Sequence, residues 1–227
     1  PELAVEVRGL CKRFGALRAV DELDLAIPRG CFFGLLGPNG AGKSTTIALL
    51  TGVLRPDAGS VALLGRPFDG DDPALKARMG VASDEPPLYG RLRGEEQLRL
   101  VGELYGLDKG EAHHRAEELL TLLGLHHARR SLVVDYSRGM RKKLGIACAL
   151  IHGPRLLFFD EPFEGVDATS SETIRQVLTG LTSRGATVLL TTHILEVAQK
   201  LCQRVGILHR GQLALEQGAP RGDARLD

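Results

Sequence analysis

The residues with the clearest capacity for chemistry form one contiguous run, Gly37-Pro38-Asn39-Gly40-Ala41-Gly42-Lys43-Ser44. It follows an apolar strand pattern and precedes a helical one, which is the setting a phosphate-cradling loop requires. Glycines let backbone N–H groups turn inward around phosphate oxygens, and a helix starting near Lys43 adds the positive end of its dipole. Lys43 would neutralise β and γ phosphates, Ser44 would ligate Mg²⁺, and Thr45 would cap the phosphate contacts. An ordinary Gly-rich turn is the bland alternative, and the register of strand, loop and helix argues against it.

A metal site of this kind needs a carboxylate at the end of a neighbouring buried strand, and Leu156-Leu157-Phe158-Phe159-Asp160-Glu161 supplies two. Asp160 can hold the Mg²⁺ water shell, while Glu161 is placed to polarise a water for in-line attack. Two buried acids without partners would be costly, which argues against a purely packing role. A helix cap or a salt bridge is the plainer reading of Glu161 alone.

The surrounding elements must hold these groups at strand ends. Short apolar runs alternating with helical patterns predict an α/β fold with a parallel-rich sheet. Predicted strands are Ala4–Val7, Cys31–Leu36, Leu156–Asp160, Thr187–Thr191 and Val205–Leu208, with another over Met79–Ser83. Leu23–Ile27 and Val61–Leu64 are assigned to a smaller, antiparallel region near the N-terminus. Helices are expected over Lys43 to Thr51, Thr169 to Thr182 and Leu195 to Cys202. From about Gly94 to Ile151 the pattern is helical, with Ala112, Ala116, Leu119, Leu120 and Leu123 on one face and Glu111, Arg115 and Glu118 on the other. The expected organisation is one domain over residues 1–227: a core with its β region over 1–93 and 152–227, and a helical insert over about 94–151. Residues 218–227 read as frayed.

Composition sets outer bounds. A formal charge of +1 argues against a nucleic-acid partner, which favours a strong basic excess. Cys11, Cys31, Cys148 and Cys202 are far apart in apolar runs, reading as small buried hydrophobes instead of a zinc or disulfide set. No run approaches the roughly twenty apolar residues that cross a bilayer, and no signal-peptide block opens the chain, so the expectation is a soluble cytoplasmic protein. The adjacent pairs His113-His114 and His126-His127 diverge on a helix and read as solvated surface instead of metal ligands.

Further segments, in order, resemble the ATP-binding cassette (ABC) ATPases. Tyr136-Ser137-Arg138-Gly139-Met140 is similar to the family's LSGGQ signature, Pro162-Phe163-Glu164-Gly165-Val166-Asp167 to its D-loop, and Thr192-His193 to its switch histidine. Phe14 stands where the family places an aromatic against adenine, although it could be a hairpin core residue. The resemblance implies an ATPase using ATP and Mg²⁺. His193 would steady the γ-phosphate, and Ser137 and Gly139 at a helix N-terminus would meet the γ-phosphate held by a second cassette subunit. Asp167 would belong to that same contact between subunits. Simple capping by Ser137, or a hydrogen-bonded histidine at a helix start, remain the plainer readings.

Two departures matter. Arg138 and Met140 replace the usual glycine and glutamine of the signature, a variant that resembles bacterial export-type cassettes. Asp84 occupies the position of a family glutamine, where a carboxylate near ATP suggests contact with the Mg²⁺ shell or the lytic water, against the alternative of a plain turn residue. The basic cluster Arg138, Arg141, Lys142 and Lys143 would form a solvated face or a subunit contact. The family reading implies a homo- or heterodimer of cassettes on a transmembrane permease chain at the cytoplasmic face of the membrane, powering export. A soluble ABC ATPase acting on a ribosome, nucleic acid or protein assembly is the alternative, and a non-hydrolysing regulatory cassette a second.

Overall fold

The computed structural model describes residues 2–218; the stretch 219–227, most of the expected frayed end, lies outside them, and Gly218 itself closes the last strand. Two sheets organise the chain. In the antiparallel one, β1 (Leu3–Phe14) pairs with β2 (Leu17–Pro28) on one side and β4 (Ala58–Leu63) on the other, with the short β5 (Arg66–Pro67) at its edge. The other has the order β10-β9-β3-β8-β7-β6, made of β3 (Phe32–Leu36), β6 (Met79–Ala82), β7 (Leu156–Asp160), β8 (Thr187–Thr192), β9 (Arg204–His209) and β10 (Gln212–Gly218). Every neighbour in it is parallel except β9 with β10.

Alternation along the central strands decides which layer each side chain joins, because successive residues point to opposite faces. Phe32 and Leu36, Leu157 and Phe159, and Val188 and Leu190 pack into one cluster with the helices; Phe33 and Leu35, Leu156 and Phe158, and Leu189 pack into the other with β1, β2 and β4. A strand buried on both faces reads as an unbroken apolar run, and these three are buried at every position.

The helices are α1 (Lys43–Leu50), α2 (Pro73–Lys76), α3 (Gly94–Leu104), α4 (Lys109–Leu122), α5 (Arg138–Leu150), α6 (Ala168–Ser183) and α7 (Leu195–Leu201). Between β6 and β7 the chain is helical, as its periodicity indicated. Ala112, Ala116, Leu120 and Leu123 are fully buried, and Leu98, Leu144 and Tyr136 join them in the cluster that also holds Phe159. The helical stretch and one face of the sheet therefore share a continuous core. Arg115 is not a purely solvated residue: it pairs with Glu111 and donates to the Ile151 carbonyl, which terminates α5.

The basic cluster on α5 is also corrected. Arg138 and Arg141 are exposed, but Lys142 and Lys143 are buried, because α5 lies between the sheet and the other helices and leaves little of its length to solvent. Burial lowers the pKa of Lys143, with Asp167 opposing the shift. β10 was not foreseen, because its polar alternation carries little apolar signal, as suits an edge strand.

Candidate functional site

The phosphate loop runs from the end of β3 into α1. Pro38, Asn39 and Gly40 are exposed, Ala41 is buried, and Ser44 is exposed on the first turn. Gly42 takes φ +105°, and a Cβ there would lie 2.2 Å from the Ala19 carbonyl oxygen, so only glycine fits this bend. Lys43 is 6% exposed and folds back over its own loop, donating to the carbonyls of Gly37 (2.7 Å) and Pro38 (3.2 Å). It is Thr46, one residue beyond Thr45, whose hydroxyl bonds the Gly42 carbonyl at 2.9 Å.

β7 and β8 lie side by side, with Asp160 opposite Thr191. The Thr191 hydroxyl donates to Asp160 Oδ1 at 2.5 Å and accepts from the Glu161 amide at 3.1 Å. Glu161 leaves the strand with φ +45°, an uncommon conformation for a side-chain-bearing residue that costs on the order of 1–3 kcal/mol. Its carboxylate faces two groups. Oε1 stands 3.3 Å from the Lys43 ammonium without hydrogen-bond geometry and has no hydrogen-bond partner, while Oε2 is 3.2 Å from His193 Nδ1. Glu164 brings a further carboxylate into the same cluster, its ligand atom within 4.8 Å of those of Glu161 and His193. Lys43, Asp160, Glu161 and His193, which the sequence reading singled out from three separate segments, converge here. Thr191, which joins the two carboxylate residues, was not foreseen.

Ser137 and Gly139 form a second group. Ser137 caps α5 and accepts from the Met140 amide at 3.2 Å, so capping does occur. A Cβ on Gly139 would lie 3.1 Å from Asp167 Oδ2 and 3.2 Å from Ser170 Oγ, so this glycine allows close approach of α5 to the start of α6. Asp167 caps α6 through the Ser170 amide at 2.8 Å, and these hydrogen bonds hold its carboxyl below the usual range. Arg138 lies across Gly165, the turn that precedes Asp167.

Asp84, beyond the end of β6, is paired with Lys142 and lies 3.9 Å from Arg138 Nη2. Both cations beside the Asp84 carboxylate are thus supplied by α5. Phe14 is 47% exposed at the end of the β1–β2 hairpin, with Lys12 Nζ 5.8 Å from its ring centroid, and is not a core residue.

The donor set fits a nucleoside triphosphate with a divalent ion: a buried ammonium closing a glycine-bearing loop, a buried carboxylate at the next strand end, and a buried Glu161 oxygen with no hydrogen-bond partner. Among the described residues, no helix is long and apolar enough to cross a membrane.

The family described as "ABC transporter" is matched over residues 20–164. The chain is 40% identical over 216 residues to the daunorubicin/doxorubicin resistance ATP-binding protein DrrA of Streptomyces peucetius, covering 95% of this chain and 66% of that protein. It is 34% identical over 216 residues to the bacitracin transport ATP-binding protein BcrA of Enterococcus faecalis, covering 95% and 69%. Thus it spans about two thirds of the length of these curated relatives. A solved structure of the ATP-binding subunit of an ABC transporter superposes with TM-score 0.86 at 32% identity, covering 95% of this chain and 90% of the other. A dimeric cassette in a post-hydrolysis state with ADP and Pi shares the fold, with TM-score 0.88 at 24% identity over 95% of this chain and 99% of the other.

Proposed function

The chain belongs to the ABC transporter family, and we propose that it is the ATP-binding and ATP-hydrolysing subunit that powers a membrane exporter. The observation that carries this reading is the Glu161 carboxylate, held at the end of β7 between the Lys43 ammonium and the His193 ring. In this arrangement Lys43 and Glu161 neutralise each other inside the loop. A triphosphate entering the cradle of residues Gly37 to Thr45 competes for the same ammonium. As Lys43 turns to the phosphates, Glu161 is released to accept a proton from the attacking water. His193, hydrogen-bonded to that carboxylate, lies where it can steady the charge that develops on the γ-phosphate. Ser44 and Asp160 would hold Mg²⁺, which when bound neutralises phosphate charge. Phe14, exposed at the hairpin end, offers its ring to the adenine.

The rest of the cycle is part of the same reading. Residues 1–93 and 152–227 form the nucleotide-binding core, and about 94–151 the helical unit. Ser137 and Gly139, at the N-terminus of α5 with Asp167 beside them, would meet the γ-phosphate of a second, identical or related cassette. A transmembrane permease would anchor the pair to the cytoplasmic face of the membrane. The export reading leans on relatives named for drug resistance, bacitracin transport and Nod factor export.

The test is Glu161→Gln. The variant should bind ATP at least as tightly as wild type, because Lys43 loses its competing carboxylate, lose turnover by about a hundredfold or more as expected for removal of a general base, and accumulate as an ATP-dependent dimer in size-exclusion chromatography with light scattering. Wild-type turnover in the variant removes Glu161 from the role of base.

A further inference from the structure

Lys142 is a cation 4% exposed in the second turn of α5, and it has two partners far away in the chain. Its ammonium pairs with Asp84, in the segment after β6, and donates at 2.8 Å to the backbone carbonyl of Glu161, the residue after β7. An ammonium withdrawn from water persists only where acceptors replace its hydration, so these partners explain why the charge is tolerated there. What it holds is specific. Glu161 carries the one positive φ in this strand-to-loop junction; its amide is fixed by the Thr191 hydroxyl, and its carbonyl accepts from Lys142 and from the Glu164 amide at 3.2 Å. The peptide on each side of Glu161 is therefore pinned, which sets the direction of its carboxylate. Asp84 and Lys142 also line a cleft of about 480 Å³ with Glu85, Pro86, Arg138 and Arg141.

We propose that Lys142 is a positioning residue of the hydrolytic site, aiming Glu161 through its carbonyl while cancelling the charge of Asp84 so that a carboxylate can stand beside a triphosphate site. This rests on the ATPase reading given above. It moves Asp84 from the Mg²⁺ shell to a charge partner of α5. Because Ser137 caps the same helix, five residues before Lys142, the helix that presents its start to a second cassette is tied directly to the backbone of the hydrolytic glutamate.

The two roles separate by mutation. Lys142→Met removes both charge and donor: turnover number should fall about tenfold, the size of one lost hydrogen bond to a charged group, and affinity for a fluorescent ATP analogue should fall by a similar factor because Asp84 keeps only the more distant, exposed Arg138 guanidinium at 3.9 Å. In the double variant Asp84→Asn/Lys142→Met, affinity should return to within about twofold of wild type while turnover stays about tenfold down. Lys142→Arg, which keeps the cation and its donors, should restore both to within about threefold. A role in folding alone would lower the melting temperature without dividing turnover from affinity in this way. The double variant leaves no carboxylate stripped of its ammonium partner beside α5, so it decides the turnover arm if Lys142→Met does not fold. Recovery of full turnover in the double variant, or unchanged turnover and affinity in Lys142→Met, overturns the proposal. Glu161→Gln measured alongside keeps the two ideas apart: if it turns over like wild type the base assignment fails, whereas the affinity arm still judges the Lys142–Asp84 pair.

Discussion

Replacing Thr191 by valine tests how the two acidic residues are held. The change keeps the shape of the side chain and removes one hydroxyl, which is fully buried between Asp160 Oδ1 at 2.5 Å and the Glu161 amide at 3.1 Å. A hydrogen bond to a charged acceptor contributes about 1.5–3 kcal/mol, and the 8%-exposed Asp160 has little water to replace it. The Glu161 amide loses less, because the Thr191 carbonyl remains at 3.3 Å; about 0.5 kcal/mol is a fair allowance. The total is about 2–3.5 kcal/mol, which for a chain of this length corresponds to a fall in melting temperature of about 4–14 °C. Calorimetry on the nucleotide-free chain near neutral pH reads it. Thr191→Ser keeps the hydroxyl and loses one methyl, worth about 0.8 kcal/mol, so its fall should be about 2–3 °C. If valine melts within about 1 °C of wild type, or serine falls as far as valine, the hydroxyl bridge is not what holds Asp160.

Two further outcomes follow from buried titrating groups. His152 stacks on Tyr105 with ring centroids 3.7 Å apart and meets the Met79 carbonyl at 2.8 Å through Nε2, while Nδ1 is buried without a partner. Burial lowers its pKa, only partly opposed by the Met79 carbonyl. The unfolded chain thus binds a proton near pH 6.5 that the folded chain refuses, and stability falls as pH drops through about 6.5 toward the lower folded value. His152→Gln should flatten that part of the melting-temperature profile, and an unaltered profile contradicts the assignment. Burial also pushes the Cys148 and Cys202 thiols up to about 12 and raises Cys31. A disulfide reagent at mildly alkaline pH should therefore label only Cys11 rapidly in the native chain, since Cys148, equally half-buried, is held as the thiol, and all four thiols after denaturation; two or more fast native thiols would contradict this.

Features whose chemistry lies within one short segment are readable from the order of residues alone. The phosphate loop is a single run between a strand and a helix, and Asp160-Glu161 ends an unbroken apolar strand whose bounds were read without error, because burial on both faces leaves the same mark on sequence and structure. Burial of β3, β7 and β8 on both faces is legible in the same way, whereas the cluster each side chain joins emerged from the fold. Which distant groups neutralise one another depends instead on how the elements come together. Lys43 meets Glu161, Thr191 meets Asp160 across adjacent strands, and Lys142 meets Asp84 from 58 residues away. Charge patterning made Lys142 and Lys143 look solvated, yet α5 is packed from both sides and buries them. Periodicity reports how an element alternates along its own axis; which neighbour covers a given face, and so whether a charge meets water or a counter-ion, is settled by the packing of elements distant in the chain.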